Sequence, residues 1–409
     1  MSTPLPASAS DNPAASAWLI ALLLAVTGFG LIAMTICLPS MTSWVAEFGA
    51  TQGSVQLTFS SFVIGLGGAQ VIYGPLSDRH GRRRLLLAGF VLAVAGSLGG
   101  ALAATLPQLI AARFVQGAGA AAGMVIGRAM VQDYFSGDDR PRIMAYIGMV
   151  LGICPPLATV LGGQLHVYLG WRANFFFAAL SAALLCVAVA VLLPHDRPAP
   201  SARSHWLREF VSAYARLARL PAYLAYCVIL SMCTGAFYVF LAGVPVVLTN
   251  YGVGPAAIGW YIIFPPLCYI VGNFLTSRLL RHTSETRLMF LGHATTLTGI
   301  ATSLVLAWLG VRSPLAVVAP LAMLGLGHGL LMPSTLAGTV SLVPALAGAA
   351  AAGAGLAQQF FGGFGAYVVG LFSHHDASNM ALLMLLFMSI SLTAQTVLIR
   401  VYRGPAHGG

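Results

Sequence analysis

The fold is decided by the stretch Gly74-Pro75-Leu76-Ser77-Asp78-Arg79-His80-Gly81-Arg82-Arg83-Arg84. It holds one acid and four arginines within eleven residues, and long apolar runs lie on either side of it. A helix needs about 20 apolar residues to cross the hydrocarbon core of a bilayer, which is the length of these runs. The stretch therefore predicts a short, highly charged loop between two membrane helices.

The composition is that of a helical protein with many membrane spans. Of the 409 residues, 58% are apolar and only 7% are charged, whereas a soluble domain carries roughly 25% charged residues. The 46 glycines suit membrane helices, in which small residues let backbones approach closely. The formal charge of +10 would suit nucleic acid, but the arginines lie mostly in short loops between apolar runs. Membrane topology accounts for them, and no nucleic-acid partner is expected.

Twelve apolar windows are long enough to cross a bilayer. Only helices and closed barrels satisfy backbone hydrogen bonds in lipid, and these windows are too long and too continuously apolar for barrel strands. We number them span 1 to span 12, at 17–43, 54–76, 84–104, 107–132, 142–166, 171–193, 221–248, 257–279, 287–309, 314–341, 346–372 and 378–400. The sequence predicts an all-α membrane protein with twelve transmembrane helices.

The longest polar segment, 194–220, divides the windows into six and six. It opens with three prolines and then places apolar residues at helical spacing among arginines. A short helix on the membrane surface fits this pattern, and a solvated linker fits nearly as well. The predicted organisation is a disordered N-terminal segment (1–16), a six-helix bundle (17–193), the partly helical linker (194–220), a second six-helix bundle (221–401) and a tail (402–409).

The placement of arginine predicts the orientation. With the N-terminus in the cytosol, sixteen of the 20 arginines fall in cytosolic loops or the C-terminal tail, and only Arg172 and Arg312 fall in outer loops. Loops on the cytosolic side carry an excess of basic residues. Both termini and the linker are therefore expected in the cytosol.

The charged loop after span 2 is predicted to act as a gate. Gly74 and Gly81 are expected to allow a tight turn. Arg82 or Arg83 can pair with Asp133, at the inner end of span 4, and such pairs would hold the inner side closed while the outer side is open. The predicted gating residues are Gly74, Asp78, Arg79, Gly81, Arg82, Arg83, Arg128 and Asp133.

Span 4 contains Arg113 within Arg113-Phe114-Val115-Gln116-Gly117-Ala118-Gly119. An arginine inside an apolar helix is costly and usually faces a cavity. Because it lies near the start of the span, its side chain could instead extend to the outer surface. Arg113 is a candidate for proton coupling or for binding substrate charge.

Span 5 combines small residues with a double proline. Gly148 and Gly152, at four-residue spacing, favour close helix packing, and Pro155 and Pro156 are expected to bend the helix. A packing kink without a transport role explains this span equally well.

Together these features resemble the major facilitator superfamily and, within it, the Bcr/CflA-type drug-efflux group. The segments that carry the resemblance are 74–83, Val55-Gln56-Leu57-Thr58, Arg113–Gly119, Arg128-Ala129-x-Val131-x-Asp133 and Gly170-Trp171-Arg172. They lie in the N-terminal half, and the C-terminal half matches mainly by topology. The resemblance implies two six-helix bundles, alternating access and proton-driven export across a bacterial inner membrane. It also implies a proton-coupling role for Arg113 and links the prolines of span 5 to antiport.

One departure from the group concerns acidic residues. Its first span usually carries an acid where this chain has Thr35, in Thr35-Ile36-Cys37-Leu38-Pro39. The ten acids fall in loops or at span ends and are Asp11, Glu47, Asp78, Asp133, Asp138, Asp139, Asp196, Glu209, Glu285 and Asp376. Without a central carboxylate, a neutral, zwitterionic or anionic substrate is expected rather than a lipophilic cation.

Two residues are candidates to replace that carboxylate in proton coupling. His328, in the middle of span 10, titrates near neutral pH, although a hydrogen-bonded packing role is the alternative. Asp133 could carry the proton from the inner mouth.

The predicted cavity combines aromatic and amide side chains, as suits amphipathic organic solutes. The candidates are Thr35, Phe237, Tyr238, Asn273, Gln358 and Gln359, and lipid-facing or core positions are the alternative for the aromatic ones. The expected partners are a small-molecule substrate such as a drug, siderophore or metabolite, a proton and the lipid bilayer, with the protein acting as a monomer. An uptake carrier or uncoupled facilitator is the alternative.

An enzyme is not expected. The sequence contains no HExxH motif, no Walker loop and no acids or histidines grouped at metal-ligand spacing. We therefore predict no catalytic residue, metal or cofactor.

Overall fold

The computed structural model describes residues 13–135, 139–194 and 206–403. Within them, the spans are Pro13–Thr35 continued by Met41–Glu47 (span 1), Gln52–His80, Arg82–Ala101, Leu106–Tyr134, Asp139–Leu169, Arg172–Leu192, Pro221–Asn250, Pro255–Ile262 continued by Phe264–Leu279 (span 8), Glu285–Trp308, Pro314–Ser341, Ala347–Val369 and Ser378–Arg403. The linker contains one helix, Trp206–Leu217. Residues 1–12 of the predicted N-terminal segment and 404–409 of the predicted tail lie outside the described residues.

The prediction of twelve membrane helices is confirmed. In the described part of the chain, eleven helices are long and apolar enough to cross a membrane. The twelfth, Ala347–Val369, has 23 residues and is therefore roughly 35 Å long, which exceeds the hydrocarbon thickness of about 30 Å. It is rich in glycine and alanine and contains Gln358 and Gln359, so no stretch of it is as apolar as those eleven helices require.

The ends of the spans follow ordinary capping rules. Span 4 begins with a capping box, in which the Thr105 hydroxyl accepts from the Gln108 backbone N–H and the Gln108 side chain accepts from the Thr105 N–H. Spans 7, 8 and 10 begin at proline, whose fixed φ suits the first helical position. Gly81, with φ of +97°, is the single residue between spans 2 and 3. That positive φ favours glycine and makes the turn.

Two spans are interrupted, although their sequence windows predict continuous helices. The first helix of span 1 ends at Thr35, and a 3₁₀ turn at Leu38–Ser40 precedes Met41–Glu47. Span 8 breaks at Ile263, directly before Pro265 and Pro266. Proline lacks the N–H that a continuing helix needs, which explains why both breaks lie beside proline.

The spans form two six-helix bundles, as predicted. In the first bundle, span 4 packs against spans 1, 2 and 3, and in the second, span 10 packs against spans 8 and 9 while span 7 packs against spans 11 and 12. The linker helix packs on span 11. Its Leu217 is fully buried in a small cluster with Tyr223 and Ala350, so at least its C-terminal end contacts the second bundle.

The two ends of the molecule differ in charge. We call the end where the first span begins at Pro13, the last span ends at Arg403 and the even-numbered spans end the arginine-rich face. The end where the odd-numbered spans finish is the opposite face. Short connections make consecutive spans antiparallel, so residues early in an odd-numbered span lie near the arginine-rich face.

Candidate functional site

The two bundles are joined near the opposite face by side chains that donate to backbone carbonyls. The Gln56 side-chain amide donates to the carbonyl of Ala242 in span 7 at 2.8 Å, and the Ser60 hydroxyl donates to the carbonyl of Gly363 in span 11 at 2.6 Å. The Gln164 amide, in span 5, donates to the carbonyl of Ala256 in span 8 at 3.2 Å. These residues form what we call the outer gate, Gln56, Ser60 and Gln164 with their three carbonyl partners.

Spans 5 and 8 meet at backbone distance beside the outer gate. A methyl group at Gly259 would lie 2.6 Å from the Cα and 2.7 Å from the nitrogen of Val160, and one at Gly163 would overlap the carbonyl oxygen of Pro255. Any side chain at these two positions would push the bundles apart. The glycines therefore allow the opposite face to close.

Spans 2 and 11 diverge towards the arginine-rich face. Near the opposite face, a methyl group at Gly53 would lie 2.9 Å from Leu371. In the middle of the span, a methyl group at Gly67 would lie 2.5 Å from Gln359. Further along, one at Gly355 would meet its nearest neighbour, Gln70, only at 3.8 Å, and one at Gly74 would meet nothing within 4 Å. Spans 2 and 11 therefore pack tightly near the opposite face and more loosely towards the arginine-rich face.

A cavity of about 540 Å³ lies between the bundles. Its walls come from spans 1, 5, 7, 8 and 10. Of the predicted site residues, the structure places Gly148, Gly152, Pro155, Phe237, Tyr238, Asn273 and His328 in the lining. Thr35, Gln358 and Gln359 are not part of that lining, and Gln359 instead accepts a hydrogen bond from the Tyr238 hydroxyl at 2.9 Å.

Arg113 is fully buried in the first bundle and neither lines the cavity nor extends to the surface. Its guanidinium donates to the carbonyls of Ala33 and Met34 at 2.8 and 3.2 Å and to the Gln116 side chain at 2.6 Å. The Phe62 ring lies 4.2 Å from the guanidinium carbon. Ala33 and Met34 form the last turn of the first helix of span 1, where carbonyls lack helical partners and attract cations. Arg113 therefore caps the helix end at the break in span 1.

Thr35 lies at the same break. It is fully buried, and its hydroxyl lies 2.9 Å from the Leu31 carbonyl and 3.2 Å from the Pro155 carbonyl of span 5. Pro155 lines the cavity, whereas Thr35 stands behind it. The position where the group usually carries an acid thus holds a neutral contact between spans 1 and 5.

The charged loop contains the pairing that its sequence suggests. Arg82 forms ion pairs with Asp78, in the preceding turn, and with Asp133 of span 4 at 2.9 Å. It also donates to the Ser77 hydroxyl at 2.7 Å. Arg83 donates to the carbonyl of Ala190 in span 6 at 2.6 Å. All of these contacts lie within the first bundle, so in this conformation they tie spans 2, 3, 4 and 6 together rather than joining the two bundles.

Two predicted gating residues lie in other settings than expected. Gly74 is not at a turn, because the helix of span 2 continues from Gln52 to His80 and the turn falls at Gly81 alone. Arg128 donates to the carbonyl of Met124, in its own helix, at 2.8 Å. Arg79 lies in the last turn of span 2.

The helix of span 5 runs through both prolines without a break, from Asp139 to Leu169. A methyl group at Gly148 would meet open space, so this glycine widens the cavity instead of packing against a helix. One at Gly152 would lie 3.0 Å from Ile270 of span 8, across the cavity. Pro155 accepts at 2.8 Å from the hydroxyl of Thr159, one turn later, and Pro156 follows it within the same helix.

His328 owes its position to the glycines around it. A methyl group at Gly325 would overlap Pro265 of span 8, and one at Gly327 would overlap Thr296 of span 9, so both neighbouring spans approach span 10 closely. His328 is 5% exposed. His293, a buried histidine of span 9, forms a hydrogen bond with the Ser391 hydroxyl at 2.8 Å and lies outside the cavity lining.

A helical membrane protein with two bundles, a central cavity and one closed end is a membrane transporter by architecture. The family model described as Major Facilitator Superfamily matches residues 18–367, and the chain belongs to this superfamily. Multidrug resistance protein D of Escherichia coli is 25% identical over 90% of this chain and 92% of that protein. A chloramphenicol resistance protein of Pseudomonas aeruginosa is 25% identical over 76% of this chain and 74% of that protein.

These relatives, with a bicyclomycin resistance protein homolog of Haemophilus influenzae, support the placement with the Bcr/CflA-type drug-efflux group. Among solved structures, a bacterial homolog of the lysosomal transporter Spinster, titled inward-facing and unoccupied, has a TM-score of 0.74 at 12% identity and covers 96% of this chain and 98% of its own. A D-xylose-proton symporter has a TM-score of 0.72 at 14% identity, covering 93% and 96%. These two similarities concern the fold alone.

Proposed function

We propose that the protein exports a small amphipathic organic compound, such as a drug, siderophore or metabolite, across a bacterial inner membrane. It does so as a monomer by alternating access and in exchange for protons. The arginine-rich face is cytosolic, as the excess of basic residues in its loops indicates. The single observation that carries the proposal is the cavity of about 540 Å³, closed at the opposite face and open towards the arginine-rich one. In that state the cavity is accessible from the cytosol, the side from which an exporter takes up its substrate.

The transport cycle follows from the contacts between the bundles. In the conformation described, the outer gate is made and the cytosolic ends are apart. Opening to the outside breaks three hydrogen bonds to backbone carbonyls, each worth about 1 kcal/mol net, and separates the glycine contacts. New contacts formed when the cytosolic side closes can offset this free-energy cost of a few kcal/mol. Within this scheme, the Asp78–Arg82–Asp133 cluster keeps the cytosolic end of the first bundle rigid as the bundles rock.

Arg113 supports the cycle from inside the first bundle. Its hydrogen bonds to Ala33 and Met34 hold the end of the helix whose residue Met34 lines the cavity. We propose that Arg113 transmits changes at the cavity to the break in span 1. Proton coupling then involves His328, in the cavity, or Asp133, at the cytosolic end.

One observation favours the second candidate, an uptake carrier or uncoupled facilitator of the same fold. The cavity lining contains no aspartate or glutamate among the described residues, and a central carboxylate is the ordinary proton carrier in such a site. The two candidates differ in their dependence on the proton gradient.

The test is the accumulation of labelled chloramphenicol in cells that do or do not produce the protein, with and without an uncoupler. Chloramphenicol is chosen because the name of one relative refers to it. The proposal expects lower accumulation in producing cells and loss of that difference on uncoupling. Gly163→Leu, which blocks closure of the opposite face, is the inactive control. A difference that survives uncoupling overturns proton exchange, and equal accumulation with and without the protein overturns export.

A further inference from the structure

The central cavity has one apolar side and one polar side. The side chains from spans 1 and 5 are all apolar and include Leu31, Met34, Met149 and Pro155. The side chains able to form hydrogen bonds all come from spans 7, 8 and 10 and are Thr234, Tyr238, Tyr269, Asn273 and His328. The first bundle therefore offers an occupant only apolar contact, and the second bundle supplies every polar contact.

The lining carries no formal charge. None of its described residues is an aspartate, glutamate or arginine, and Arg113 is fully buried behind the cavity with its own acceptors. A charged group enclosed without a partner of opposite sign is strongly disfavoured. The cavity therefore suits an uncharged occupant better than either a cation or an anion.

His328 has hydrogen-bonding capacity that the protein leaves unused. Its side chain is 5% exposed, and its Nε2 has no hydrogen-bond partner among the described residues. Phe237 holds the imidazole edge-on, with the two ring centroids 6.5 Å apart. A buried polar atom without a partner is unfavourable. Nε2 is enclosed as the side chain stands, so a polar group of an occupant relieves this cost once the imidazole turns to present that nitrogen to the cavity.

Two of the other polar side chains of this wall already have hydrogen-bond partners. The Tyr238 hydroxyl donates to Gln359 at 2.9 Å, and the Asn273 amide donates to the Tyr269 carbonyl at 3.0 Å. Among the described lining residues, His328 is the one that holds a fully enclosed side-chain nitrogen without a hydrogen-bond partner. A neutral imidazole has one donor and one acceptor nitrogen, so it can bind a ligand hydroxyl or a ligand carbonyl.

We propose that the cavity is a two-sided site for an uncharged amphipathic molecule, with His328 as the hydrogen-bonding anchor. The ligand's polar edge faces spans 7, 8 and 10, and its apolar face lies on Met34, Met149 and Pro155. The inference rests on the proposed function in that this ligand is the exported compound. It goes further by assigning the charge of the substrate, its orientation and the residue that holds it.

Equilibrium binding to the purified protein in lipid nanodiscs tests the proposal with two probes. Chloramphenicol is an uncharged amphipathic compound, and tetraphenylphosphonium is a permanent lipophilic cation. The wild type is expected to bind chloramphenicol and to bind tetraphenylphosphonium at least about tenfold more weakly, as an unpaired enclosed charge requires. Loss of one hydrogen bond in His328→Leu weakens chloramphenicol binding about tenfold, and His328→Gln, which keeps donor and acceptor, stays within about threefold of the wild type.

A variant of the apolar wall tests the same idea independently of His328. Met149 is 48% exposed, so a glutamate there does not depend on core packing. Met149→Glu places a carboxylate in the cavity and is expected to strengthen tetraphenylphosphonium binding about tenfold; Met149→Gln, uncharged and of equal size, is the matched control.

Three results overturn the proposal: no chloramphenicol binding, equal affinity for both probes in the wild type, or no change in His328→Leu. If Met149→Glu leaves the affinity for tetraphenylphosphonium unchanged, the statement that the cavity lining carries no formal charge is wrong. If the protein binds chloramphenicol selectively but leaves its accumulation in cells unchanged, export is contradicted and the two-sided site is retained. Export by a protein that binds both probes equally contradicts the two-sided site alone.

Discussion

Gly259→Ala is expected to shift the transporter away from the conformation in which the opposite face is closed. Gly259 lies in the helix Pro255–Ile262 at the start of span 8, against the backbone of span 5. Added as alanine, its methyl group would lie 2.6 Å from the Cα and 2.7 Å from the nitrogen of Val160. These are backbone atoms within a helix, so they cannot move aside as the end of a flexible side chain does. The overlap exists only while the opposite face is closed.

The size of the effect follows from the overlap. Ordinary van der Waals contact begins at 3.4 Å, so the methyl group is too close by about 0.8 Å. Overpacking of this kind costs about 1–3 kcal/mol, and a cost of about 2 kcal/mol shifts the ratio of the two conformations about 30-fold towards outward-open. Alanine favours the helix by about 1 kcal/mol over glycine in both conformations, so the fold itself is retained.

The assay is a distance measurement between spin labels on the opposite face. Leu102, after span 3, and Leu309, after span 9, are 73% and 72% exposed and belong to different bundles, so cysteines there carry labels without disturbing packing. Gly259→Ala should lengthen the dominant distance. Gly254→Ala is the matched control, because a methyl group there meets nothing within 4 Å. Identical distance distributions for Gly259→Ala and Gly254→Ala would refute the reasoning.

Three further predictions concern stability. Arg113→Met leaves the carbonyls at the break of span 1 uncapped and should lower the free energy of unfolding by about 2–4 kcal/mol. Arg113→Lys should have an intermediate effect, because lysine keeps the charge but lacks the planar guanidinium. An unchanged melting temperature in Arg113→Met would contradict the capping role. Asp133→Asn should lower the free energy of unfolding by less than about 1 kcal/mol, since the ion pair of Asp133 with Arg82 is partly exposed. A coupling free energy above about 2 kcal/mol, from a double-mutant cycle with Arg82→Gln, would contradict this weak contribution. Burial lowers the pKa of His374, in the loop before span 12, below its usual 6.5. The folded protein therefore favours the neutral imidazole. Its contribution to stability is fully present above pH 6.5 and is lost as the pH falls from there towards the lowered pKa. The hydrogen-exchange protection of residues 370–377 should therefore decrease between about pH 7.5 and about pH 5.5. His374→Gln should remove this pH dependence. The control His375→Gln, at an exposed position, should retain it.

The spans were predictable because lipid imposes a simple rule on sequence. A continuous apolar run of helical length has few alternatives in a bilayer, and the observed helices fall within a few residues of their windows. The interruptions in spans 1 and 8 were not predicted, although Pro39 and Pro265 mark them. Proline is tolerated in many membrane helices, as span 5 shows by running through Pro155 and Pro156, so proline alone does not indicate a break.

The site was only partly predictable. Phe237, Tyr238, Asn273 and His328 were predicted as polar or aromatic residues within the spans, and the structure places all four at the cavity. The burial of Arg113 was missed, because its acceptors are carbonyls exposed by the break in span 1.

The outer gate was missed for the same kind of reason. Gln56, Ser60 and Gln164 donate to backbone carbonyls of the other bundle. Every residue has a carbonyl, so the acceptor carries no sequence signal, and only the donor's position near a span end hinted at a role.

Export driven by proton exchange from an inward-facing cavity can be measured in proteoliposomes with an imposed pH gradient. Chloramphenicol is uncharged and is not trapped by the gradient itself. With proton exchange, chloramphenicol should accumulate above the external concentration in vesicles with an acidic lumen. Accumulation should stop when the gradient is collapsed and in Gly163→Leu. Accumulation that only reaches the external concentration, at the same rate with and without the gradient, would instead identify an uncoupled facilitator.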